Sequence, residues 1–159
     1  MTGKELLVGG SSLLFLALLG MYHLFGLKLV RFLPPNTDKH PQMGLVFTFW
    51  AIALLHLTEI AFGALVLWLL QGIPGTGELG LTFGSRVIDY LYLAGTCFAT
   101  LGYAQIEAVG PIRLFIMFLA LSGFMVITWS ATFIFEIWGK TYGNEDKGDQ
   151  ADEYDKKAE

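Results

Sequence analysis

Three ionisable residues lie inside long apolar segments of the chain, where charged groups are energetically costly. His56 and Glu59 are three residues apart near the middle of one segment, and His23 lies at a comparable depth in the preceding one. Residues three apart share a helix face, and an ionisable group at membrane depth is a candidate for function. Either the three form a functional cluster, or a neutral, hydrogen-bonded Glu59 joins two helices. We expect no metal ion, because a closed metal site needs more ligands.

The composition is that of a membrane protein. Hydrophobic residues make up 54% of the 159 positions and charged residues 15%, against roughly 25% charged residues in globular chains. The net charge of −4 comes from residues 141–159, which hold seven acidic groups and three lysines. The negative net charge is therefore a property of the C-terminal tail and indicates nothing about a substrate.

Three apolar runs are long enough to cross a bilayer, which takes about 20 residues. The first is longer than the apolar region of a signal peptide, so we expect a membrane helix that is retained. Between and after these runs the chain is polar. The predicted segments are an N-terminal transmembrane helix at 1–33, a connector at 34–42, an outer helix at 43–71, an inner helix at 111–138 and an acidic, disordered tail at 140–159.

A shorter apolar segment separates the last two spans. It follows turn-rich residues 72–78, starts at Ser85, which we predict to cap it, and ends near Phe98. A helix of this length cannot span lipid, and irregular backbone at membrane depth is tolerated only where it lines a cavity or is covered by protein. Residues 85–98 are therefore predicted to form a re-entrant helix, with Cys97, the single cysteine, as a small hydrophobe on its packed side.

The residues after this helix read Thr100-Leu101-Gly102-Tyr103-Ala104. They resemble the selectivity-filter loop of the potassium channel superfamily, whose core is Thr-Val-Gly-Tyr-Gly. The order of membrane segment, short helix, filter and membrane segment agrees over about residues 46–135. The resemblance implies a filter at 99–105 whose backbone carbonyls replace the water around K⁺. It also implies a cyclic homotetramer, because one chain supplies one loop.

Three positions depart from the family pattern. Ala104 stands where the family has glycine, Gln105 where an acidic residue is usual and Ala99 where threonine is common. A Cβ at Ala104 disfavours the backbone conformation needed there by about 1–2 kcal/mol. The predicted function is a potassium or weakly selective monovalent cation channel. The alternative is a non-conducting homologue that acts as a membrane assembly or structural subunit.

The third span carries a polar stripe at Thr128, Thr132 and Glu136, each four residues from the next. Such residues lie on one helix face. One interpretation is a water-filled inner pore with a ring of Glu136 side chains near its cytoplasmic mouth, which would concentrate cations. The other places Glu136 at the lipid interface and lets the threonines bond back to their own helix. Gly123, where the family often has a hinge glycine, is the predicted hinge.

The predicted fold is an all-α membrane protein with three transmembrane helices and a re-entrant pore helix and filter loop, the pore domain covering residues 43–139. We expect no enzyme, because no nucleophile–base pair is visible, and no cofactor apart from K⁺ as the permeant ion. The expected partners are three further copies of the chain, the bilayer and an accessory protein at the acidic tail, with no nucleic acid.

The distribution of basic residues predicts the orientation in the membrane. Seven of the ten Lys and Arg residues lie around the connector or after the last span, and three lie at the N-terminus and around the pore loop. Positive residues favour the cytoplasmic side. We therefore expect a multi-pass protein of the cell membrane with its N-terminus outside and its C-terminus in the cytoplasm.

Overall fold

The computed structural model describes residues 2–32, 41–80, 83–101 and 107–142. This part of the chain is helical except for one short pair of strands. The elements are α1 (Gly3–Phe32), α2 (Pro41–Gln71), β1 (Glu78–Leu79), α3 (Val87–Phe98), β2 (Ala108–Val109) and α4 (Ile112–Tyr142). The predicted order of two long helices, a short helix and a long helix is confirmed. Residues 34–40 of the predicted connector at 34–42, and the tail from 143 onward, lie outside the described residues.

Three of the helices are long and apolar enough to cross a membrane. The spans are Gly3–Phe32, Gln42–Gln71 and Ile112–Gly139, each with mean hydropathy near 2. About a third or less of each apolar window is buried inside the chain. Most of the remaining apolar side chains therefore face outward, as expected of a protein surrounded by lipid or by further copies. The protein is an all-α membrane protein.

The predicted helix ends need three corrections, the first of which is that α2 begins at Pro41 rather than at residue 43, so the end of the predicted connector is helical. α4 runs to Tyr142 rather than ending at residue 138, so the first residues assigned to the disordered tail are helical. α3 begins at Val87, with Arg86 rather than Ser85 as its cap residue. The Arg86 amide donates to a carboxylate oxygen of Asp89 at 2.9 Å. The Asp89 side chain, three residues into the helix, thus accepts from the amide of the cap residue, as in a capping box, and Ser85 itself has a positive φ of 55°.

The helices form one bundle in which α1 packs against α2 and α4, and α3 packs between α2 and α4. The ring of Phe15 on α1 stacks on Phe62 at a centroid distance of 5.3 Å and meets Phe115 edge-on at 5.1 Å. Small residues let the long helices approach closely, as in many membrane proteins. A Cβ at Gly63 would lie 2.7 Å from the side chain of Leu119. α1 is therefore an integral part of the bundle.

A two-stranded sheet joins the chain before α3 to the chain after it. β1 and β2 pair antiparallel, with Glu78 opposite Val109 and Leu79 opposite Ala108. Gly77, just before β1, has a φ of 130°, and its Cα lies so close to the Val109 carbonyl that no Cβ would fit. This neck, residues 77–79 with 108–110, was not predicted, because two residues per strand leave no alternating pattern to detect.

Thr76 connects the neck to the ends of both long helices. Its buried Oγ1 lies 2.6 Å from the carbonyl oxygen of Leu70 and 2.8 Å from that of Ile73, so it caps the end of α2. Its own carbonyl accepts a 2.7 Å hydrogen bond from the amide of Ile112, the first residue of α4. The neck therefore fixes where α2 ends and where α4 begins.

Candidate functional site

A buried polar cluster lies at the centre of the helix bundle. The carboxylate of Glu59 bridges two histidines, with His23 Nδ1 2.8 Å from Oε1 and His56 Nδ1 2.8 Å from Oε2. Glu59 and His23 are fully buried, and the His56 side chain is 18% exposed. The structure thus brings the three sequence-predicted ionisable residues together. Glu59 is buried and hydrogen-bonded, and it joins α1 to α2.

The cluster extends to the other two helices. On α4, the hydroxyl of Ser130 lies 3.3 Å from His23 Nε2, and the ring of Trp129 lies 5.6 Å from that of His23. The His23 and His56 rings stack with their centroids 5.5 Å apart and their planes within 11°. Phe98, the last residue of α3, meets the His56 ring edge-on at 5.6 Å. One polar cluster therefore contacts all four helices.

Sequence reasoning missed Ser130, although a signal was present. Ser130 falls on the same helical face as the buried residues Leu119, Ser122 and Val126 of α4, at spacings of three and four. A polar residue on the otherwise apolar buried face of a membrane helix needs a partner. The sequence therefore indicated that Ser130 faces a polar partner inside the bundle, but not which residue that partner is.

The C-terminal end of α3 leads directly into the predicted filter. The amide of Leu101 donates to the Thr96 carbonyl and that of Thr100 to the Cys97 carbonyl, both at 2.9 Å. This pair of bonds is a Schellman motif, whose αL position is usually glycine. Here Thr100 occupies it with a φ of 56°. Thr100 and Leu101 are exposed, whereas the filter residues Gly102, Tyr103 and Ala104 lie outside the described residues.

The last residue of α3, Phe98, packs directly against Gly123 on α4. A Cβ added to Gly123 would lie 2.6 Å from the Cα of Phe98 and closer still to the Phe98 carbonyl oxygen. The glycine thus permits direct backbone contact between the short helix and α4. This packing role was not predicted, and the hinge role stays a prediction.

Cys97 and Tyr90 hold the other side of α3. Cys97 is half-buried and packs against the hydrophobic core of the bundle. The Tyr90 hydroxyl donates to the Gln71 side chain at the end of α2. Both ends of the short helix are therefore tied to the bundle.

The polar stripe on α4 lies on the outer surface of the isolated chain. Thr128, Thr132 and Glu136 are all exposed. The threonine hydroxyls donate back to the carbonyls of Phe124 and Thr128, at 2.8 and 3.1 Å. These bonds satisfy the hydroxyls whether the stripe faces lipid or a pore. Both interpretations of the stripe therefore remain predictions.

The fold and its central site define a three-span membrane protein in which a short helix lies between the second and third spans. A family model described as "Ion channel" matches residues 54–139, more than half of the chain and including all of α3 and nearly all of the span of α4. The chain belongs to this ion channel family, which includes the two-transmembrane pore-loop channels. No curated protein and no solved structure matches the chain.

Proposed function

We propose that four copies of the chain form a ring around a central pore and conduct potassium, or monovalent cations with weak selectivity. α3 would be the re-entrant pore helix, and residues 100–104 would line the narrowest part of the pore. The observation that carries the proposal is the ion channel family match across the second half of α2, α3 and α4. The direct passage of α3 into Thr100 supports it.

The proposed conduction mechanism follows from the cost of dehydrating a cation. Backbone carbonyls from Thr100 to Tyr103 of four chains, with the Thr100 hydroxyls, would replace the ion's water shell. The C-terminal end of α3 carries about half a negative charge from its dipole, which favours a cation nearby. A ring of Glu136 side chains would raise the cation concentration at the inner mouth.

The same proposal assigns sides of the membrane. The connector and the tail would lie in the cytoplasm, and the N-terminus and the neck would lie outside, in the membrane of the cell. α1 would pack on the periphery of the two-helix pore unit, on the surface made by α2 and α4. The acidic tail would offer an accessory protein a binding segment, and no catalytic activity is proposed.

Reconstitution tests the proposal directly. The purified full chain, in planar bilayers with opposing K⁺ and Na⁺ gradients, should give single-channel currents that reverse toward the K⁺ equilibrium potential. Gly102→Ala, which adds a Cβ in the predicted filter, should abolish the current while leaving the oligomer intact, and native mass measurement should give four chains. A stable oligomer without current under these conditions would instead support the structural-subunit alternative.

A further inference from the structure

We propose that the cluster of His23, His56 and Glu59 is a binding site for a divalent transition metal ion of the zinc class. Two imidazole nitrogens and a carboxylate oxygen form a donor set that zinc uses in proteins. The three donor groups lie within 4.8 Å of one another. The proposal is independent of whether the protein conducts ions, and it reverses the expectation drawn from the sequence.

The two histidine–carboxylate contacts are already close to the separation that a metal requires of its ligands. With zinc bonds of about 2.0–2.2 Å, two ligand atoms at angles between a right angle and the tetrahedral angle are roughly 3.0–3.4 Å apart. Each histidine Nδ1 lies 2.8 Å from an oxygen of Glu59. Binding therefore needs an expansion of a few tenths of an ångström along each hydrogen bond. The two histidines contact different oxygens of Glu59, and donor atoms that lie up to 4.8 Å apart would have to close by about 1.4 Å to reach this range.

The packing of α1 on α2 brings the three ligand side chains together before any metal binds. His56 and Glu59 are three residues apart on α2 and therefore share one face, and His23 reaches the same carboxylate from α1. His23 is fully buried and stacked on His56, which restricts its ring. The partly exposed His56 is the ligand with room to turn. Glu59 and His23 are thus held in place by burial, and His56 is the ligand that must turn to bind the metal.

Ser130 orients His23 both with and without metal. A ligating histidine normally donates its second ring N–H to a partner that fixes the tautomer, and Ser130 Oγ lies 3.3 Å from His23 Nε2. In the metal-free state, Nδ1–H donates to Glu59 and Nε2 accepts from the serine hydroxyl. With metal on Nδ1, Nε2–H donates to the same oxygen, because a hydroxyl both donates and accepts.

Electrostatics near the cluster favour a cation. Glu59 supplies a carboxylate that offsets one of the two positive charges of the ion. The C-terminal end of α3, the negative end of that helix dipole, finishes at Phe98 beside His56. A bound ion would cross-link α1 to α2 directly and to α4 through Ser130. It would therefore stiffen the bundle around the end of the short helix.

The test uses purified full-length protein freed of any histidine tag and dialysed against Zn²⁺, or against Co²⁺ as a spectroscopic probe. We expect about one Zn²⁺ per chain, a visible Co²⁺ absorption band and a higher thermal midpoint in Zn²⁺. Glu59→Gln and His56→Gln should each remove the band and the rise in midpoint. Ser130→Ala should weaken the affinity by about 10–100-fold. Glu78→Gln, an exposed acidic position in the neck and outside the cluster, should behave as the wild type.

The amide of Glu59→Gln can still hydrogen-bond both histidines, so this variant keeps the test decisive even if His56→Gln does not fold. The proposal is overturned if the wild type takes up no more Zn²⁺ than the double variant His23→Gln/His56→Gln. It is equally overturned if Glu59→Gln elutes as the native oligomer and retains the Co²⁺ band, or if Glu78→Gln abolishes binding.

Discussion

The backbone of Phe98 lies directly on Gly123, so the last residue of α3 contacts α4 without an intervening side chain. The ring of the same phenylalanine contacts His56 on α2. The end of the short helix is therefore fixed by two contacts. Its backbone packs on Gly123 of α4, and the Phe98 ring packs on His56 of α2.

Gly123→Ala tests this contact. The added methyl would overlap the Phe98 backbone, which cannot move as a flexible side chain does, so we expect a loss of about 1–3 kcal/mol or more in stability and displacement of α3. The measurement is the thermal midpoint of the purified oligomer. Gly139→Ala, on the same helix with nothing within 4 Å of the new Cβ, is the control and should be neutral or slightly stabilising. If Gly123→Ala keeps the wild-type midpoint and alters only channel opening, the hinge role is supported instead.

Glu59 is expected to matter through its hydrogen bonds more than through its charge. Glu59→Gln should keep most of the stability, because the amide can donate to one histidine and accept from the other. Glu59→Ala should cost about 1–3 kcal/mol for each buried group left unpaired. Thermal unfolding of both variants measures the difference, with Glu78→Ala at an exposed acidic position as the control. Equal midpoints for Glu59→Ala, Glu59→Gln and the wild type would refute this role.

Gly77 tests the neck. Gly77→Ala combines a φ of 130° with a collision against the Val109 carbonyl and a 2.8 Å approach to Ile112. Gly75→Ala is the matched control, since Gly75 also has a positive φ, of 82°, but its Cβ would meet only the Lys4 side chain at 3.9 Å. Strain alone should cost about 1–2 kcal/mol, and Gly77→Ala should cost clearly more. Equal thermal midpoints for the two variants would contradict the prediction, because they would mean that the collision with the Val109 carbonyl does not lower stability.

The long helices were predictable because their signal is hydropathy, which extends over about thirty residues and does not depend on exact neighbours. The common depth of His23, His56 and Glu59 was predictable for the same reason. The cap of α3 was predicted wrongly: Arg86 is the cap residue, and its amide is bonded by Asp89 within the helix, an arrangement that depends on backbone geometry more than on residue type. Likewise, the fit of Phe98 on Gly123 depends on how two helices meet in space, which no local pattern encodes.

Glu136→Gln distinguishes the two interpretations of the polar stripe. If four Glu136 side chains border the inner mouth, neutralising them should reduce rectification of the cation current and weaken block by internal divalent or polyamine cations. The effect should shrink at high salt, because exposed charges are screened beyond about 10 Å at 0.1 M. Single-channel recording at low and high ionic strength measures it, with Glu78→Gln as an acidic control near the neck. Unchanged conductance and block at low salt would place Glu136 at the lipid interface.

Ala104 is expected to weaken selectivity at the outer end of the filter. Four methyl groups around one axis should distort the outermost ion site while the sites from Thr100 to Gly102 persist, leaving fewer dehydrated sites in series. Ala104→Gly, combined with Gln105→Asp, should sharpen the preference for K⁺ over Na⁺ in reversal-potential measurements. A wild type that already excludes Na⁺ strongly, with no change in the variant, would contradict this explanation.

The neck makes the segment between Gly80 and Glu107 a separable insert. A Cβ on Gly80 would lie 3.1 Å from the Glu107 carbonyl oxygen, so the segment leaves and rejoins the bundle at one place. The ends of this segment are held together by the neck. The three long helices α1, α2 and α4 can therefore keep their positions when the length of the segment changes. Exchange of this segment for that of another channel would be a graft at a single junction, and the new short helix would have to fit both the surface around Gly123 on α4 and the facing side of α2. If residues 100–104 line the pore as proposed, a change within this insert would alter ion preference without moving the ends of the three long helices.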